Sequence, residues 1–161
     1  LFDFIIVPTT HMHMKGFTVE DSAYENPEAL ARLWVERFDT LLHSDLPFGK
    51  VGIAHLVSRC IAVRDNMHLE VIRRVPDEEM HRLFTEAARL GLGIELNGDD
   101  MSFKDEDAET VLRPFRIAKE CGCKFPFGSD EHKSNGFAYH RERGQRMADA
   151  LGLTEEDIFR V

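Results

Sequence analysis

One rhythm, repeated four times, limits what this chain can fold into: a short apolar run, a polar loop, then an amphipathic helix. The runs are Phe4 to Val7, Val51 to Leu56, Leu92 to Leu96 and Lys124 to Phe127. Asn26-Pro27-Glu28 opens the first helix, with an N-cap side chain, a proline suited to the first turn and an acid at the positive helix end. Leu30, Leu33, Trp34, Phe38, Leu41 and Leu42 then recur at helical spacing, so this helix buries one face. A short helix is predicted near Met67 to Arg74. A longer one starts at Pro76-Asp77 and stops at Gly91, and a fourth spans Asp107 to Glu120, where Pro114 should delay or kink it. The last covers about Ala138 to Leu151, followed by a capped turn at Thr154. Alternating β and α segments predict an α/β chain with a parallel sheet covered by helices.

Composition narrows the classes of function. The chain has 161 residues, 29 acidic against 20 basic side chains and a formal net charge of -9. That balance argues against nucleic-acid binding through a basic surface. No apolar run approaches the ~20 residues that span a bilayer, so no membrane partner is expected. Three cysteines, Cys60, Cys121 and Cys123, make no disulfide framework. No basic segment precedes an apolar one at the start, and the expected location is cytoplasmic.

The residues that carry chemistry sit at one place in the rhythm. His11 and His13 follow the first run, His55 ends the second, Glu95 and Asn97 end the third, and Asp130 and His132 follow the fourth. Parallel α/β folds build their sites at this carboxyl end of the strands. Imidazole and carboxylate are ligands for Zn, Mn or Fe, and such ions clamp phosphate and activate water. In an extended segment residues i and i+2 point the same way, so Asp130 with His132, or His11 with His13, can face one metal cluster. Arg59, four residues past His55, offers a guanidinium for a phosphate, Lys133 a further positive charge, and His13 a substrate contact or alternate ligand. Glu95 and Asn97 are read as groups that orient ligands or hold a loop. His43, His68, His81 and His140 fall in helical segments and read as structural or surface residues; Met12 and Met14 read as packing residues.

The stretch Phe127-Gly128-Ser129-Asp130-Glu131-His132, followed by Gly136, resembles the G-S-D-x-H signature of the PHP (polymerase and histidinol phosphatase) superfamily. In the same order, Phe2 to His11 resembles the family's strand that begins with Asp and ends in a metal-binding His. Val51 to Leu56 resembles its strand ending in G-H, Gly93 to Asn97 its E-x-N strand, and Leu151 to Phe159 its tail. The resemblance implies the C-terminal four β/α units of a distorted (β/α)7 TIM-like barrel with a two- or three-metal cluster at its rim. It also implies a histidinol-phosphatase-like phosphoesterase that hydrolyses a small phosphate monoester by a metal-activated hydroxide. Carried over residue by residue, His11, His55, Asp130 and His132 are metal ligands, with Asp130 and His132 also catalytic; whether His11 or His13 is the ligand stays open. The family's opening H-x-H motif and the bridging Glu after it have no clear counterpart here. Two alternatives therefore stand beside the phosphatase: a non-catalytic metal-binding module with an incomplete site, and another metal-dependent hydrolase.

Four parallel strands cannot close a barrel. At roughly 30 residues per unit, about 90 residues of such a barrel would be absent. The expectation is that residues 1–161 form the C-terminal portion of a single PHP domain, completed by an N-terminal part or by a homo-oligomeric partner.

Overall fold

The computed structural model describes residues 2–62, 64–132 and 137–161. Its strands fall where the apolar runs place them. Strand β1 (Ile5–Pro8) pairs in parallel with β2 (Val51–Ala54), from Ile5↔Val51 to Pro8↔Ala54. β2 pairs in parallel with β3 (Gly93–Ile94), and a second ladder joins β4 (Leu96–Asn97) to β5 (Phe127–Gly128). Glu95 links the two ladders: its N–H donates to Ile53 O at 3.0 Å, while Ile94 and Leu96 donate to Lys124 O and Pro126 O, each at 2.9 Å. The four runs thus lie side by side in chain order.

Helices α1 (Pro27–Leu42), α2 (Met67–Arg74), α3 (Asp77–Leu90), α4 (Ala108–Glu120) and α5 (Phe137–Leu151) complete the fold. The Asn26 side chain accepts from the N–H groups of Glu28 and Ala29 at 3.1 and 3.2 Å, which makes it the N-cap the sequence predicts. Gly91 closes α3 in the left-handed conformation, φ 77°. Pro114 neither delays nor ends α4; it sits buried inside a helix that begins at Ala108. After α5, Thr154 and Asp157 form a reciprocal capping box.

The helices bury their apolar stripes together. Trp34, Phe38 and Phe84 are fully buried and meet edge to face, with ring centroids 5.5 to 6.5 Å apart. Ile53 and Ile94, opposite each other across β2 and β3, join the same core. Among the described residues no helix is long and apolar enough to cross a membrane.

The barrel is not borne out. The chain is a mixed α/β fold with five helices and two small parallel sheets, and among the described residues no barrel closes. Two causes are visible. The ladders of two to four residues are short and interrupted at Glu95, whereas barrel closure needs continuous, staggered pairing. The sheet face opposite the helices is also covered by the chain's own side chains. Phe4 and Phe159, ring centroids 5.3 Å apart, lie with Pro126 over Gly52 and Gly93, where any side chain would collide with them. Ile158 pairs in parallel with Phe125 beyond the last run.

Candidate functional site

The loops that leave β1 and β2 are stitched to each other. Thr10, buried just past β1, donates from Oγ1 to His55 O at 2.5 Å. The Met12 N–H donates to Cys60 O at 2.8 Å, and Met12 itself is a fully buried plug. His13 Nδ1–H donates to the same Cys60 carbonyl at 3.2 Å, which leaves Nε2 as its lone-pair nitrogen. Behind them, Trp34 Nε1–H donates to Leu56 O at 3.0 Å and ties the second loop to the helix core.

This stitching gathers the histidines. The rings of His11 and His55 lie 5.0 Å apart and those of His11 and His13 5.8 Å apart, centroid to centroid. Asp130 Oδ2 reaches within 3.9 Å of His55 Nδ1. His55 and Asp130 both adopt the left-handed conformation, φ 60° and 51°, an unfavourable backbone for non-glycine residues that recurs at functional sites. His11 Nε2 and His55 Nδ1 are buried without a hydrogen-bond partner among the described residues. The His11 imidazole is held below its usual value, first by burial and then by His55 and His13, with Asp130 pulling the other way.

Three further groups support this cluster. Glu95 is buried beneath it and accepts from Asn97 Nδ2 at 3.0 Å; burial pushes its carboxyl up, opposed by Asn97 and His55. A side chain at Gly128 would collide with Glu95 Oε1, which explains why glycine opens the G-S-D stretch. The Asn97 side-chain oxygen accepts from the Asp99 N–H at 2.9 Å, so Asn97 both orients Glu95 and holds its loop. Asp100 is wholly buried and accepts from the Val57 N–H at 3.3 Å; burial raises its carboxyl far above the ordinary range.

His11, His55 and Asp130 therefore come together, with His13 at their edge. His132 is exposed, and its Nδ1–H donates to Asp130 O at 2.8 Å rather than into the cluster. Arg59 lies on the 3₁₀ turn Arg59–Ile61 and lines a cleft on the His13 side. Lys133 and Gly136 lie outside the described residues.

His140, expected to be a structural or surface residue, takes a structural role. Its Nε2 pairs with Glu131 Oε2 at 2.9 Å, both side chains about five-sixths buried (16% and 15% exposed), which ties the segment between Asp130 and His132 to α5. The nine-residue separation follows no helix or strand period, so only the packing of α5 reveals the pair.

Among the described residues no group of three or more His, Cys, Asp or Glu side chains has the geometry to hold a metal ion. The fit to a metal rests on the donor set instead: two buried, unpartnered imidazole nitrogens beside a carboxylate suit Zn, Mn or Fe. No family model matches the chain, and comparison with curated proteins and with solved structures finds no match.

Proposed function

We propose that the strand-end cluster is the metal site of a metal-dependent phosphoesterase similar to those of the PHP superfamily, acting on a small phosphate monoester. The observation that carries this reading is the pair of buried nitrogens, His11 Nε2 and His55 Nδ1, that have no hydrogen-bond partner among the described residues and lie near Asp130. An unmet buried polar atom costs about 1–3 kcal/mol, and a metal bond answers that cost where no protein donor or acceptor does.

His11, His55 and Asp130 would supply the donors after closing in from the spacing seen here, with His13 joining through the ring nitrogen that its carbonyl hydrogen bond leaves open. When bound, a divalent ion supplies Lewis acidity, lowering the pKa of water and neutralising phosphate charge. The chain's own part is positional. Burial keeps the His11 lone pair available near neutral pH, Glu95 steadies His55 from below, and the Glu131–His140 pair holds the Asp130–His132 segment.

The test is metal analysis of the purified chain together with phosphate release from p-nitrophenyl phosphate in the presence of Mn²⁺ or Zn²⁺. Asp130→Ala is expected to lose both metal and turnover, and normal turnover in that variant would sink the proposal. Metal binding that needs Asp130, without release from any monoester, would leave the non-catalytic metal-binding module as the reading.

A further inference from the structure

A cleft of about 500 Å³ opens beside His13, a volume suited to a small ligand. Its wall begins at the cluster: His13, 5.8 Å from His11, is bonded to the Cys60 carbonyl, and Cys60 lines the same cleft. Beyond Cys60 the lining turns basic, with Arg59, Arg64, Lys104 and His68 against Asp65, while Asp99 and Asp107 lie behind Arg59, His68 and Lys104. That is the reverse of the chain's balance of 29 acids to 20 bases.

The charges there are weakly engaged. Arg64 has Glu70 at 3.5 Å and Lys104 has Glu106 at 3.4 Å, but these pairs are well exposed and each is worth little. Arg59 makes no ion pair with any described residue. Its turn is nonetheless fixed: Ser58 Oγ accepts from the Cys60 N–H at 3.0 Å, and Ile61 is fully buried in the core. An exposed guanidinium on a fixed turn, without a carboxylate partner among the described residues, is available for bidentate binding of an oxyanion. His68 adds a half-buried imidazole, kept below its usual value by burial and by the Arg59 charge.

We propose that this cleft is an acid-recognition subsite, so that the substrate is a phosphate monoester whose alcohol half carries a second anionic group, a carboxylate or a further phosphate. The inference rests on the phosphoesterase reading for which end of the substrate meets the histidines. The binding preference itself does not depend on turnover.

The experiment is calorimetric binding to the full chain with Mn²⁺ present. 3-Phosphoglycerate is compared with glycerol 3-phosphate, which has the same phosphate but no carboxylate. Fructose 1,6-bisphosphate is compared with fructose 6-phosphate, which lacks the second phosphate. For at least one pair the doubly anionic ester is expected to bind about tenfold tighter or more, the size of one charge-assisted contact. The pair that shows the preference identifies the second group as carboxylate or phosphate. Arg59→Gln and Lys104→Gln should bring the two affinities of that pair together, with circular dichroism confirming that both variants fold. Equal affinities within both pairs, undetectable binding of all four esters, or a preference that survives both substitutions would overturn the proposal. Phosphate release, measured in parallel, separates the two readings. A preference without release fells the phosphoesterase and leaves the subsite, whereas release with equal affinities does the opposite.

Discussion

Two regions of this molecule solve opposite problems. Between α1 and α3, Trp34, Phe38 and Phe84 are sealed from water, and the one polar atom among their side chains, Trp34 Nε1, has its partner in Leu56 O. At the strand ends and in the adjoining part of α5, His11 Nε2, His55 Nδ1, Asp100 Oδ1 and His140 Nδ1 are buried with no hydrogen-bond partner among the described residues, and His55 and Asp130 are left-handed. The first region has the hallmarks of a stabilising core. The second accepts unmet polar atoms and strained backbone, the pattern expected where function overrides stability.

The largest effect should come from the first region. Phe84→Ala removes the ring that touches both Trp34 and Phe38 and should destabilise the fold by about 3–5 kcal/mol, measured by urea unfolding. A loss below about 1 kcal/mol would show that the aromatic cluster is not the anchor described here. The second region should respond with the opposite sign. His11→Leu replaces an unpartnered nitrogen with an apolar group and should raise stability by about 1 kcal/mol while metal affinity falls. A destabilised His11→Leu variant would mean that the histidine is structural.

The smallest effect concerns Asp100. Its carboxyl is raised in the folded state, so between the unfolded and folded values the native chain binds more protons than the unfolded chain, and stability falls as pH rises through that window. Asp100→Asn removes this slope. The variant should match the parent below the ordinary value of 3.8 and gain on it as the pH climbs toward neutral. Parallel pH profiles for the two proteins would contradict the buried, protonated carboxyl.

How much of this was written locally differs between the same two regions. The helices follow from short-range signals, such as Asn26 before Pro27, Gly91 after Leu90 and the Thr154 cap, because capping and stripe formation are decided within a few residues. The strands and the gathering of His11, His55 and Asp130 follow from alternating patterns that put strand ends together. Barrel closure was not legible, because it depends on ladder length and on what covers the second sheet face. There Phe4 and Phe159, far apart in sequence, meet over Gly52 and Gly93. His140 has the structural role expected of it, but its partner Glu131 was not legible for a related reason: it is set by how α5 docks, which no periodicity reports. Met12 fits the packing role expected of it, whereas Met14 is exposed.

The hydrogen bonds from Thr10 to His55 and from Met12 to Cys60 have a consequence for how such a site can vary. Each loop supplies the scaffold for the other's histidine, so neither can be lengthened, shortened or grafted alone without displacing both rings. The heritable unit is the pair of loops with the Met12 plug between them. Outward of that knot, the side chains along the Arg59 to Lys104 wall can change without moving either ring.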